Sequence, residues 1–370
     1  MAHPRRFRPL VLSLAFVATA LGLWAWPSPA DAQDPARRRL RLGYNQAWLE
    51  GAYGRDLDGA LDEAGWRRVF VRAREGGAPS VRVWLFEGKP YEGITWAGHR
   101  PTGVTPRFLA NVRRLIDLAV EERVTLYWTA LSANWPDHWP RDSIDFARRY
   151  NIYADKYGHG AAWREAALGP VLDVIAERPR AAFALDLMNE PQGAVRPWMW
   201  SDGWRGARRF LAETAAFVKR RCPGLRVTAS SGHHSAVDDV IDGRFDGIGL
   251  DFLDVHVYAD DGRVPRGDAL ARHARARGLP LVLGEFGQQV QRDDPALQAR
   301  VTERFLADAE RLGFHAAFAW RLEDQQAHDR RFSFFDGDRP RPAYDVMRRW
   351  AGLPACPPTT RGITGALGGP

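Results

Sequence analysis

The chain has 370 residues, 45% of them hydrophobic, with 52 basic against 45 acidic side chains and a net charge of +7. Those proportions exclude a disordered, collagen-like or disulfide-scaffold protein. All but three of the basic residues are Arg, scattered among acids with no basic block longer than Arg37 to Arg39, so no nucleic-acid partner is expected. The 15 Trp point instead toward flat apolar ligands.

Arg5, Arg6 and Arg8 precede an uncharged run over 9–26, and Ala30-Asp31-Ala32 follows a Pro-rich turn. Residues 1–32 therefore read as a signal peptide cleaved before Gln33, which makes the mature chain secreted or periplasmic. An uncleaved N-terminal anchor is the alternative. No later segment is apolar enough to span a bilayer, and a monomer is expected. Export permits a disulfide between Cys222 and Cys356, but the chain after Trp350 is barely long enough to reach across a barrel.

From about residue 40 one theme repeats: a short apolar, β-branched run, a loop, then a helical pattern. The runs cover 40–44, 80–86, 124–129, 182–188, 225–230, 250–258, 279–284 and 315–320. Among the helical stretches, Phe108, Val112, Leu115, Ile116 and Ala119 share one face, and Asp294 with Pro295 marks a capped start before Leu297, Val301, Phe305 and Leu312. Alternating strands and helices predict an α/β protein, a single (β/α)8 TIM barrel over 33–353, with a loosely held tail over 354–370. Two loops read as unusually large, 130–160 after the third strand and 191–203 after the fourth. Trp135, Trp139, Trp198, Trp200 and Trp204 lie in or beside them, where their rings could line a cleft or merely anchor the loops.

The fourth run ends in Asp186-Leu187-Met188-Asn189-Glu190-Pro191 and the seventh in Leu283-Gly284-Glu285-Phe286-Gly287. A Glu directly after a barrel strand stands on the face where such folds build their active sites. Two of them, three βα units apart, can face each other across the barrel mouth, the layout that glycoside hydrolysis needs. Taken singly, each is as readily a structural ion pair at a strand end. On the sixth run His256 and Tyr258 alternate and so point to one face; Arg82 lies inside the second run, and Trp320 ends the eighth.

On these residues the sequence resembles the retaining (β/α)8 clan of glycoside hydrolases, most of all family 5, the cellulase and β-mannanase family, from about residue 40 to residue 350. The resemblance implies an acid/base at Glu190, a nucleophile at Glu285, and Asn189 bonding the sugar 2-hydroxyl. His256 and Tyr258 match the family's His-x-Tyr pair, whose Tyr touches the nucleophile. Arg82 matches the Arg that bonds the nucleophile, and Trp320 the floor of the cleaved sugar's subsite. Physically, a cationic Arg82 would keep Glu285 ionised, while a shielded Glu190 near a second negative charge would stay protonated.

Family 5 cellulases often carry a His at the end of the third strand, and none stands in the stretch 127–135 here. Asn134-Trp135, Arg82-Val83-Trp84 and His256-Val257-Tyr258-Ala259-Asp260 look more like the β-mannanase branch. The expected activity is therefore hydrolysis inside a β-linked polysaccharide, β-mannan first and β-glucan next, with Asn134, Trp135, Trp198 and Trp200 binding the chain. No metal or cofactor is expected, since no ligand spacing such as His-Glu-x-x-His occurs. A transglycosylase with the same site stays open. A non-catalytic carbohydrate-binding barrel is disfavoured because both Glu are present.

Overall fold

Parallel barrel strands are covered outside by helices and filled inside by their own side chains, so they read as nearly continuous apolar runs. All eight such runs become barrel strands. The computed structural model describes residues 40–49, 57–87, 93–133, 143–195, 203–290, 294–323 and 331–356, all within one compact unit. Strands β1 (Arg41–Asn45), β2 (Ser80–Trp84), β3 (Thr125–Thr129), β4 (Ala182–Asn189), β5 (Val227–Ser231), β6 (Leu253–Val257), β7 (Leu281–Phe286) and β8 (Ala316–Ala319) form a closed barrel in sequential order. Neighbouring strands are parallel, and β8 closes on β1 with Arg41 opposite Ala316 and Tyr44 opposite Ala319. This is the (β/α)8 architecture.

The surrounding helices bury one stripe each. In Pro106–Glu121 the buried face is Phe108, Val112, Leu115, Ile116, Leu118 and Ala119, and the Thr105 hydroxyl accepts from the Phe108 amide to satisfy an end donor. Helix Pro295–Leu312 starts on Asp294, whose carboxylate accepts from the Ala296 and Leu297 amides, and stops at Gly313 in the left-handed region. On the outside, Arg67 bonds Glu121 and Glu122, Arg114 bonds Glu63, and Arg221 bonds Asp173. The scattered arginines thus tie neighbouring helices, though exposed pairs such as these contribute little to stability.

The structure departs from the sequence reading at two places. Part of the stretch 130–160 read as a loop is helical, over Ile144–Tyr153 and again from His159. The inward face of Ile144–Tyr153 includes Arg149 and Asn151 beside Ile152 and Tyr153, so no apolar stripe marks it. Between β2 and the next helix, Ile94–Ala97 pairs antiparallel with Arg100–Val104, a hairpin too short to leave a pattern. Cys222, buried at the end of helix Trp204–Arg221, and the half-buried Cys356 are both free thiols. Among the described residues no helix is long and apolar enough to cross a membrane. Residues 1–32 and 357–370 lie outside the described residues.

Deep in the barrel, Tyr127, Phe183, Phe252 and Phe318 form an aromatic plug with ring centroids 5.2–6.3 Å apart. The plug seals the lumen from below, so polar groups above it must find partners among themselves. Replacing the buried Phe183 by Ala should leave a cavity against three rings and lower stability by about 3–5 kcal/mol. Phe183→Leu should cost less than half of that, both measured by urea unfolding.

Candidate active site

Above the plug lies Arg82 of β2, with no exposed surface. Its Nη1 donates to Glu285 Oε1 (2.5 Å) and Asn45 Oδ1 (3.1 Å), and its Nη2 to Asp186 Oδ2 (2.7 Å), Asn189 Oδ1 (2.9 Å) and Ser230 Oγ (3.3 Å). One guanidinium therefore joins groups from β1, β4, β5 and β7. Burial alone would make Arg82 easier to deprotonate, but the carboxylates of Glu285 and Asp186 reverse that and hold it firmly cationic.

Glu285, the penultimate residue of β7, is 4% exposed. Arg82 occupies its Oε1, and the Tyr258 hydroxyl donates to its Oε2 at 2.6 Å. Glu190 follows the last residue of β4 in the left-handed conformation (φ 50°), its amide donating to Ser230 O at 2.9 Å. That turn aims its side chain over the lumen, 8% exposed. His256 Nδ1 lies 2.9 Å from Glu190 Oε1 and 3.5 Å from Glu285 Oε1, and His233 Nε2 stands 3.6 Å from Glu190 Oε2. Burial would discharge His256, but Glu285 and the bond to Glu190 outweigh it and raise its pKa.

Glu190, His256 and Glu285 each offer a ligand atom within 4.8 Å of the others. A cation there would sit beside the fixed charge of Arg82, which already neutralises Glu285, so the donor set suits a carboxylate pair better than a metal. Trp320, directly after β8, packs on Trp84, which packs on Trp48. Together they make an aromatic wall, with the Arg82 guanidinium 5.8 Å from the Trp84 ring.

Of the residues singled out from sequence, Arg82, Asn189, Glu190, His256, Tyr258 and Glu285 meet in one cluster, with Trp320 at its edge. Asn134, Trp135, Trp198 and Trp200 lie outside the described residues, as does Trp139. Trp204 packs edge-on against Phe245 at 5.5 Å, an anchoring contact for its helix. The sequence reading missed Asn45, Tyr127, Ser230, Asp254 and the role of Asp186. The available signal was an ionisable residue inside an apolar strand: Asp254 lies two residues before His256 and so shares its inward face.

Beside the mouth, Glu87 and Arg149 form a second buried pair at 2.8 Å, which fixes helix Ile144–Tyr153 to the end of β2. Burial lifts Glu87 to about 7, only partly opposed by Arg149. On the outer wall a groove of about 830 Å³ carries Arg263, Arg266, Arg272, Arg304 and Arg311. None of the site's side chains lines it.

No family model and no curated protein matches the sequence. Solved structures do match. An exo-β-1,4-mannosidase from Opitutaceae bacterium strain TAV5 aligns with TM-score 0.63 at 15% identity, over 85% of this chain and 59% of that one. An endo-1,4-β-mannanase from Rhizomucor miehei aligns with TM-score 0.62 at 16% identity, over 85% and 95%. The β-mannanase of the blue mussel Mytilus edulis aligns with TM-score 0.58 at 20% identity, over 79% and 89%. At these identities the likeness is one of fold.

Two outcomes test the site's construction. A Cβ on Gly232 would lie 2.1 Å from Glu190 Cδ, so Gly232→Ala should displace that carboxyl and break its 2.9 Å contact with His256 Nδ1, read in a crystal structure of the variant. An unmoved carboxyl in the folded variant would show that Gly232 does not set its place. For pH, the folded pKa of Glu87, about 7, lies above its ordinary 4.5. The native state then binds more protons, and this contribution to stability is complete below pH 4.5 and lost as pH rises through about 7. Glu87→Gln should flatten that part of the stability curve, read by urea unfolding between pH 4 and 8.

Proposed function

We propose that this chain is a retaining glycoside hydrolase acting on a β-linked polysaccharide. The observation that carries the reading is a pair of buried strand-end carboxylates, oxygens of Glu190 and Glu285 lying within 4.8 Å of one another. Retaining enzymes hold their carboxyl groups about 5–5.5 Å apart, whereas inverting enzymes leave about 6.5–9.5 Å for a water. The named activities of the structural neighbours, β-mannanases and a β-mannosidase, agree with it.

In this reading Glu285 is the nucleophile. Arg82 and Tyr258 hold its two oxygens in place for attack on the anomeric carbon. Glu190, facing it across the mouth, protonates the departing glycosidic oxygen. Once Glu285 has become an ester its negative charge is gone, and Glu190 then takes a proton from the water that releases the sugar. Asn189, fixed by Arg82, presents its amide to the sugar 2-hydroxyl, and Trp320 supplies an apolar floor under the ring.

For substrate, β-1,4-mannan or glucomannan is the first choice and β-glucan the second, with cleavage inside the chain. Residues 1–32 serve as an export leader on this view, and 33–353 as the catalytic domain.

Glu285→Ala should lower turnover by several orders of magnitude on every substrate, because no group remains to form the covalent intermediate. Glu190→Ala should impair polysaccharide far more than activated aryl glycosides, whose leaving groups need little protonation. Wild-type-like activity of either variant on polysaccharide would remove the assignment. Early mixed oligosaccharides from mannan would support the substrate choice, while monosaccharide alone, or no product from any β-mannan, would overturn it.

A further inference from the structure

Four carboxyl groups lie buried around the Arg82 guanidinium: Asp186 and Asp254 at no more than 1% exposure, Glu285 at 4% and Glu190 at 8%. Arg82 bonds two of them directly. Charges so poorly solvated and so close together cannot all be ionised with one guanidinium between them, so the cluster must hold protons. One belongs on Glu190 in the mechanism above. Where the next is held depends on Asp254, which has no part in that mechanism.

Asp254 stands two residues before His256 on β6, one step deeper in the lumen. Its Oδ2 accepts from the Tyr127 hydroxyl at the top of the aromatic plug. Its Oδ1 faces His256 Nε2 at 3.9 Å. Both of these atoms are sealed from solvent, and neither has a hydrogen-bond partner among the described residues. The gap is longer than a hydrogen bond, but bonds within catalytic groups are often long without substrate and tighten in the complex. The sequence also makes room for this carboxyl: a Cβ at Gly284, directly before Glu285, would lie 2.0 Å from Asp254 Oδ1.

We propose that Asp254 is a positioning residue acting through His256: the two hold a proton in common that keeps Nδ1–H directed at Glu190 Oε1 and leaves the proton Glu190 transfers on Oε2. The proton count supports this in either form. If the shared proton rests on Asp254, Oδ1–H donates to Nε2 and the ring's own proton must be on Nδ1. If it rests on the ring, both nitrogens carry hydrogen. In each case Oε1 of Glu190 is occupied as an acceptor, and the acid proton goes to the other oxygen, which stands on the His233 side. Which ring nitrogen is protonated is set by what the other one bonds.

One further feature agrees. Burial raises Asp254 to about 7, with Asp186 adding to the rise and His256, Arg82 and the Tyr127 bond opposing it. The groups facing the pair are Tyr127 from β3, Arg82 from β2, Asp186 from β4, and the two Glu. Without a polar group at 254, His256 would lose the partner of Nε2. Its Nδ1 could then become an acceptor and draw the Glu190 proton onto Oε1, away from the glycosidic oxygen.

The last clause of the proposal rests on the glycosidase reading; the protonation of His256 does not, so the test has two readouts. In the full chain, ¹⁵N NMR of His256 at neutral pH should find Nδ1 protonated in the wild type and in Asp254→Asn, whose amide can donate to Nε2 while its oxygen accepts from Tyr127. In Asp254→Leu, Nδ1 should lose its proton. For turnover, Asp254→Leu should lower kcat on polysaccharide about 10- to 100-fold with KM little changed, and lower kcat on an activated aryl glycoside less than about threefold. Asp254→Asn should restore most of the loss. An unprotonated Nδ1 in the wild type overturns the proposal even if the Leu variant does not fold. So does equal loss on both substrates, or failure of the Asn variant to rescue. If Glu285→Ala retains activity on both substrates, the glycosidase reading fails instead, and the NMR result on Asp254 still stands or falls alone.

Discussion

Burying Arg82 is the constraint from which the rest of the barrel mouth follows. A guanidinium sealed above an aromatic plug has no water to bond, so the strands around it must supply acceptors. They do: Asn45 from β1, Asp186 and Asn189 from β4, Ser230 from β5 and Glu285 from β7 converge on its two terminal nitrogens. Such a cluster is a poor source of stability, because the desolvation of its charges offsets most of their attraction. Its effect is on geometry. The Arg82 N–H groups, donating to the oxygens of Asn189 and Glu285, leave those side chains little freedom, and precise placement is worth more to a reaction than an equal amount of loose binding.

The same economy of space explains the local backbone. Glu190 adopts a left-handed conformation that costs a non-glycine residue on the order of 1–3 kcal/mol. The bond from its amide to Ser230 O and the contact of its carboxyl with His256 hold it there. If β4 continued as regular strand, alternation would carry residue 190 to the face opposite Asn189. The turn brings both side chains into the lumen, next to each other. Gly232 then leaves the space that the Glu190 carboxyl fills.

Much of this was legible in the sequence, for identifiable reasons. The eight strands announced themselves because parallel strands must be apolar on both faces, and Glu190 and Glu285 stood out as acids directly after such runs. Arg82, His256 and Tyr258 could be read from their places within or beside strands. Asp254 and Tyr127 were not, because each looks like an isolated polar residue until the barrel closes and brings β3 against the inward face of β6. The helix Ile144–Tyr153 was hidden for a related reason. Its inward face is partly charged, and the ion pair that offsets the burial of Arg149 is made with Glu87, many residues earlier in the chain.

The division between what strands carry and what loops carry also separates chemistry from specificity. Arg82, Glu285 and His256 lie within strands, and Glu190, Tyr258 and Trp320 are the residues immediately after them, so the groups proposed to react are held by the stiffest part of the fold. Asn134, Trp135, Trp198 and Trp200, the groups expected to meet further sugar units, belong to connections after β3 and β4. The bonds that Arg82 donates go to strand residues rather than to those four. On the proposed glycosidase reading, a change in the connections after β3 and β4 would exchange one β-linked chain for another while the proton arrangement around Glu190 and Glu285 stayed as it is.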